Sequence, residues 1–212
     1  MTKNWDNLIK HKEHKIRRRN MEIVVHDEVC TPNQNLTYST EQTLAYLDNL
    51  NLEEKEILDL GCGTGIIGIS CLSKGAKRVT FSDVSSKALE NTLENLKLNT
   101  FFNKAEIIQS NLFENIHGDF DFIFANLPIS NDLWQPVIKQ TTETLTERFL
   151  KEVKSFTREN GRIIINWASF ASLKQIENYL TENNFKFKKI EQEALDCTWY
   201  LFDIEINKNN TH

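Results

Sequence analysis

Three glycines at alternate positions, Gly61, Gly63 and Gly65, follow an apolar run at residues 56–60, and one acidic residue, Asp59, stands just before them. Lacking Cβ atoms, they let the chain turn sharply out of a strand and lie against a ligand, while a helix that follows offers its N-terminal N–H groups. That is the chemistry of a nucleotide-cofactor loop. A second apolar run ends in Asp83, where a carboxylate can accept from both hydroxyls of a ribose. A third, 120–125, stops at Asn126-Leu127-Pro128-Ile129. The Asn126 amide oxygen and the Leu127 carbonyl can both accept from one N–H₂ group, and Pro128 fixes the turn that makes them converge. Two acceptors on one nitrogen draw its hydrogens aside and aim its lone pair. The glycines also allow a dehydrogenase-type reading at Gly63, Gly65 and Gly68, so the rest of the chain has to discriminate.

The elements that must carry these residues follow from periodicity. A helix is predicted over 4–19, an extended piece over 22–25 and a turn over 31–35. A helix over 39–50 follows, with Ser39 or Thr40 as cap and Leu44, Leu47 and Leu50 at helical spacing. Strands and helices then alternate: strand 57–60, helix 66–74, strand 78–82, helix 86–99, and strands 106–109 and 122–125. Such alternation implies a parallel sheet with right-handed crossovers. A helix over 144–157 leads into strand 162–167, and a helix over 173–182 into strands 185–191 and 199–206. The link between the last two is short enough for an antiparallel hairpin. Such a hairpin speaks against a dinucleotide-dependent dehydrogenase. The tail from 208 is expected to be disordered.

At 212 residues the chain suits one substantial domain, and 40% hydrophobic with 26% charged residues is ordinary for a globular protein. No apolar run reaches the length of a membrane span and residues 1–20 contain no signal-peptide core, so a cytoplasmic protein is expected. Cys30, Cys62, Cys71 and Cys197 form no CxxC pair and the five histidines are scattered, which predicts reduced thiols and no metal site. A net charge of −5 argues against a protein that is basic throughout. Lys10, Lys12, Lys15, Arg17, Arg18 and Arg19 nevertheless crowd one segment, either a phosphate-attracting arm or simply a solvated face.

In order and spacing the glycine loop, Asp83 and the Asn126–Ile129 tetrad resemble the class I S-adenosylmethionine-dependent methyltransferases, in the subgroup whose fourth motif reads Asn/Asp-Pro-Pro-aromatic. The resemblance covers about residues 37–207, after an N-terminal helical and basic extension (1–36) and before a tail (208–212). It implies an α/β, Rossmann-like, seven-stranded and mostly parallel sheet with a C-terminal antiparallel hairpin and helices on both faces. It also implies that the Gly61-Cys62-Gly63-Thr64-Gly65 loop passes under the methionine and ribose of S-adenosylmethionine. Asp59 would then lie near the methionine amino group, Asp83 on the ribose hydroxyls and Val84 against the adenine. Asn111 and the backbone N–H of Leu112 would face the adenine edge, with Asn111 in place of the usual Asp.

Leu127 replaces the first Pro of the tetrad, as in the base-dimethylating rRNA enzymes, and Ile129 replaces the aromatic; Trp134 could restore a stacking face. Segments 82–99 and 159–165 look most like the release-factor and ribosomal-protein glutamine methyltransferases and the RNA adenine and guanine N-methyltransferases. An N-methyltransferase acting on a macromolecule, protein glutamine or RNA base, is therefore expected, with target choice from the basic arm, the loop past Pro128 or an accessory protein. A small-molecule methyltransferase and a catalytically silent interaction protein of the same fold remain alternatives, the first suggested by Ile129 and the second by Asn111 and Ile129.

Overall fold

A computed structural model describes residues 11–32, 38–129 and 145–207. Apolar side chains alternate along the central strands, so one sheet buries two faces at once. Ile57, Phe122, Phe124 and Ile164 face one way, into a core with Leu44, Leu47, Ile69 and Leu96. Leu58, Ile123, Ile163 and Ile165 face the other, into a core with Phe149, Ile176 and Leu180. The elements supplying those cores are α1 (Ser39–Tyr46), α2 (Ile66–Ser73) and α3 (Ser86–Leu98) on the first side, and α4 (Leu145–Glu152) and α5 (Leu173–Glu182) on the second.

The strands are β3 (Glu56–Leu60), β4 (Arg78–Asp83), β5 (Ala105–Gln109), β6 (Phe120–Ala125), β7 (Thr157–Ala168), β8 (Lys186–Ala194) and β9 (Cys197–Glu205), in the order β5-β4-β3-β6-β7-β9-β8. The first five run parallel; β9 lies antiparallel between β7 and β8. The expected fold class and terminal hairpin are thus the observed ones. From β3 the chain proceeds outward through β4 and β5, then returns to build the other half from β6. The break between β3 and β6 is a topological switch point, the place where open α/β sheets leave a crevice at their carboxyl ends.

The helix expected over 4–19 is corrected within the described residues. β1 (His14–Arg18) and β2 (Met21–Val25) form an antiparallel hairpin with Arg18 opposite Met21, turning through Arg19 at a φ of 54°. Its basic residues have period two: Lys15 and Arg17 face solvent while Ile16 packs on the core. Two fully buried asparagines of α3 fix the hairpin's position. Asn95 Nδ2 donates to the Val24 carbonyl (2.8 Å) and its Oδ1 accepts from the Val24 N–H (2.8 Å), while Asn91 does the same for Val24 and His26.

Three of the basic residues are also engaged. Lys15 pairs with Glu22, Arg18 with Glu41 (2.6 Å) and Arg19 with Asp48 (2.7 Å). The α1 cap differs from expectation as well: Tyr38 occupies the N-cap without a side-chain bond. Lys10, Trp134 and the tail from 208 lie outside the described residues.

Candidate active site

The loop after β3 needs its glycines. Gly61, Gly63 and Gly65 all have positive φ (71°, 55° and 76°), which costs a residue with a Cβ but not glycine. Gly61 N–H and Cys62 N–H both donate to the Ser82 carbonyl of β4, at 2.7 and 3.0 Å, so the loop folds back over the neighbouring strand. Gly65 begins α2 against α3: a Cβ there would come within 2.9 Å of Thr92, whose hydroxyl holds the Gly63 carbonyl at 3.0 Å. At Gly63 a Cβ would meet nothing within 4 Å, so the loop backbone borders open space there. Gly68, the last glycine of the dehydrogenase-type reading, serves packing: a Cβ would strike Phe81 at 2.3 Å.

One carboxylate holds the first turn of α2 and a second holds the loop itself. Asp59 is buried and its Oδ2 accepts from the Gly68 N–H at 2.8 Å. Asp83, at the end of β4, accepts from Gly63 N–H on Oδ2 (3.0 Å) and from Ser85 N–H on Oδ1 (2.9 Å). Val84 beside it is 44% exposed, an apolar side chain left open at the strand ends. The Ser110 N–H donates to the Asp83 carbonyl (3.0 Å), which brings the loop carrying Asn111 and Leu112 alongside. Asn111 donates its amide to Glu114 at 2.7 Å, leaving its oxygen as the acceptor; Leu112 is buried with a φ of 52°.

Across the switch point, the β6 tetrad touches the glycine loop. A Cβ on Gly61 would lie 3.1 Å from Leu127 Cδ2, so Gly61 also makes room for the tetrad. Asn126 donates its amide N–H to the hydroxyl of Thr40 at 3.2 Å. Thr40 is buried in the first turn of α1, and that turn is locked to the sheet by a buried polar network. Thr43 donates to Asn166 Oδ1 (2.8 Å), Asn166 Nδ2 donates to the Ser39 carbonyl (3.3 Å), and Gln42 donates to the Trp199 carbonyl (3.2 Å).

Thr40, Thr43 and Asn166 were not among the expected site residues; a Thr at a helix start reads as a cap. The structure thus gathers Asp59, Gly61–Gly65, Asp83, Val84, Asn111, Leu112 and the tetrad along the carboxyl ends of β3 to β6. A separate concavity, lined by Tyr38, Gln42, Tyr46, Asn49, Ile190 and Gln192, shares none of them.

The family model for the methyltransferase small domain matches residues 32–196. The chain belongs to this family. As a member, the methyltransferase draws its methyl group from S-adenosylmethionine, and its sheet is that of the class I enzymes. It is 32% identical over 178 residues to a putative protein N5-glutamine methyltransferase of Methanocaldococcus jannaschii, an alignment covering 78% of this chain and 85% of that one. It is 29% identical over 156 residues to the ribosomal protein L11 methyltransferase of Lactobacillus johnsonii, covering 74% of this chain and 45% of the other, so it spans less than half of that relative. Among solved structures, the T. thermophilus 16S rRNA N2 G1207 methyltransferase, in complex with AdoMet and guanosine, superposes with a TM-score of 0.71 over 92% of this chain and 50% of its own. At 18% identity that likeness concerns the fold.

The residues present fit the cofactor. Open space borders Gly63, the Asp83 carboxylate has lone pairs left beyond its backbone bonds, and the apolar side chain of Val84 stands exposed beside it. Electrostatics single out Asp59. Burial pushes its pKa up to about 7, with the Asp83 charge adding to the rise and the Gly68 N–H opposing it.

Since this value lies above that of an exposed aspartate, the folded methyltransferase holds the proton more tightly than the unfolded chain. The stabilisation from Asp59 is therefore full at acid pH and is lost as pH rises from about 4 to about 7. Asp59→Asn keeps an acceptor for the Gly68 N–H and removes the buried charge. Without cofactor, the variant should melt above the wild type at pH 8, and the gap should narrow toward pH 5. Thermal melts at the two pH values check this; an equal gap at both would count against it.

Proposed function

We propose that the methyltransferase transfers the methyl group of S-adenosylmethionine to the side-chain carboxamide nitrogen of a glutamine in a protein. The match along 85% of a putative N5-glutamine methyltransferase carries this reading. The engagement of Lys15, Arg18 and Arg19 by Glu22, Glu41 and Asp48 supports it, because those cations already have partners other than phosphate.

The bound cofactor supplies an activated methyl group, so the protein has mainly to orient two reactants. Asp83 is the candidate holder of the ribose hydroxyls, Val84 the apolar face for adenine, and the amide oxygen of Asn111 with the Leu112 N–H the partners of the adenine edge. Asp59, whose Oδ2 serves Gly68, has its other oxygen for the methionine ammonium. On the acceptor side, Asn126 commits an amide hydrogen to Thr40, which leaves Oδ1 for the incoming N–H₂. The Leu127 carbonyl takes the second hydrogen. With both hydrogens held in one plane, the nitrogen lone pair, delocalised in a free carboxamide, is aimed out of that plane at the methyl group. The transferred product loses one N–H proton to solvent.

Tritiated S-adenosylmethionine incubated with the enzyme and with protein and RNA fractions of a strain lacking it tests the reading. Label should appear in protein and be recovered as N5-methylglutamine after enzymatic digestion; label confined to RNA or to small molecules would overturn it. Thr40 offers a finer test. Thr40→Val removes the acceptor that orients Asn126 and should lower kcat about tenfold with cofactor affinity unchanged, while Thr40→Ser restores most of it. An equal loss in both variants would show that the hydroxyl plays no part.

A further inference from the structure

The acceptor cradle described above offers two acceptors, Asn126 Oδ1 and the Leu127 carbonyl, for the two hydrogens of a carboxamide, and one of the two Asn126 amide hydrogens is committed to Thr40. A glutamine side chain, however, carries a carbonyl oxygen on the same planar group. When the amide leaves water, that oxygen needs a donor or it enters the site unsatisfied.

Among the described residues, one group has the complementary deficit. Trp167 is 6% exposed, and its indole Nε1–H is buried with no hydrogen-bond partner, the single side-chain nitrogen or oxygen in that state among the described residues. An indole N–H is only ever a donor, and buried donors in native proteins are nearly always paired, so this one asks for an explanation. Trp199, the other buried tryptophan among the described residues, follows the rule and donates to the Ala194 carbonyl at 3.0 Å.

The register of the sheet places Trp167 beside the tetrad. β6 and β7 run parallel with Ala125 opposite Ile165; β6 ends there, while β7 runs on through Asn166 and Trp167 paired with β9, so Asn126-Leu127 emerge from the sheet alongside Asn166-Trp167. Side chains alternate, which sends the two β7 neighbours to opposite faces. Asn166 takes the α1 face and holds Thr43 and Ser39 behind Asn126. Trp167 joins the opposite core with Ile165 and Ala125, against which Leu127 and Ile129 also pack.

We infer that the Trp167 Nε1–H is the donor for the carbonyl oxygen of the acceptor carboxamide, which makes Trp167 a specificity-determining residue. It selects a carboxamide over an amine, since an amine has no oxygen to accept from it. The inference rests on the glutamine reading above. A hydrogen bond to the carbonyl does not free the nitrogen lone pair, so its contribution lies in acceptor binding and orientation, and KM should respond more than kcat.

Trp167→Phe removes the N–H and keeps an aromatic ring. With the protein acceptor identified by labelling, the variant should show KM for that acceptor raised about tenfold, kcat within a few-fold and cofactor affinity unchanged. Its melting temperature should not fall by more than the smaller ring explains, because an unpaired buried donor has gone. A donor that is only structural would leave KM where it was. In the wild type, the indole N–H resonance assigned to Trp167 by backbone correlations should move downfield when the acceptor is added; this readout needs no variant to fold. An unchanged KM in Trp167→Phe, or an unmoved resonance, beside a wild type that methylates glutamine, overturns this inference and leaves the glutamine reading intact. A wild type that labels only RNA or metabolites removes both.

Discussion

Asn126→Ala is expected to lower turnover by about two to three orders of magnitude while cofactor affinity stays within a few-fold. The magnitude is that of deleting one preorganised polar group whose contact strengthens as charge develops at the reacting atom. The separation of effects comes from where the side chain sits. Its hydrogen bond is to Thr40 of α1, not to the glycine loop or Asp83. The tetrad touches the loop through Leu127 against Gly61, and the alanine variant leaves that backbone in place. Asn126→Asp is the informative companion. It keeps an acceptor for the substrate, and the Thr40 hydroxyl can turn to donate to the other oxygen, so it should retain measurable activity where alanine does not. Single-turnover methyl transfer and calorimetry with the demethylated cofactor product measure the two quantities. Wild-type turnover in Asn126→Ala would remove the side chain from the reaction, and a parallel loss of cofactor affinity would place it in the wrong half of the crevice.

The glycine loop and the carboxylate at the end of β4 could be read from the sequence because their determinants are local. Gly61, Gly63 and Gly65 each need a positive φ set by the turn they make, and Asp83 lies at the end of a run whose alternation marks it as a strand. Long apolar alternations also settled the sheet, since Ile57 and Leu58, or Ile163 and Ile164, must face different cores wherever the chain goes. On the side of the proposed acceptor only the tetrad was legible. Its supports come from far away in the chain: Thr40 meets Asn126 across 86 positions, and Thr43 meets Asn166 across 123. A threonine pair at the start of a helix carries no local mark of either partner.

The N-terminal segment shows the converse error. A charged run with one isoleucine fits a helix about as well as a strand by composition, and the deciding groups are Asn91 and Asn95, some 65 to 71 residues on, which offer the backbone of β2 its hydrogen bonds. Asn111 illustrates a further limit. The resemblance assigned its oxygen to the adenine edge, and the structure adds a partner that the sequence did not suggest, Glu114, which takes its amide nitrogen. Trp167 carried no signal at all in the sequence, since a tryptophan at the end of an apolar strand reads as core; only the buried and unpaired N–H distinguishes it.

Asp83→Ala should weaken binding of S-adenosylmethionine and its demethylated product by at least tenfold, and toward a hundredfold if both ribose hydroxyls are held, given roughly 1.5 to 3 kcal/mol for hydrogen bonds to a charged group. The structure adds a second loss to that of the ligand contacts. Oδ2 of Asp83 accepts from the Gly63 N–H and Oδ1 from the Ser85 N–H, so the carboxylate also sets the shape of the loop and the start of α3 before any ligand arrives. Asp83→Asn is for that reason no conservative change. Whichever way the amide turns, its N–H₂ faces one of the two backbone donors, and a donor directed at a donor either opens the loop or rotates the side chain away from the ribose. Asparagine should therefore bind the cofactor nearly as poorly as alanine. Acid should have a milder form of the same effect. Burial raises the Asp83 pKa, and as pH falls through it one oxygen takes up a proton and ceases to accept on that side. Calorimetric titration of wild type, Asp83→Ala and Asp83→Asn with the demethylated product settles the matter: asparagine binding at wild-type strength would mean that the carboxylate neither shapes the loop nor holds the ribose.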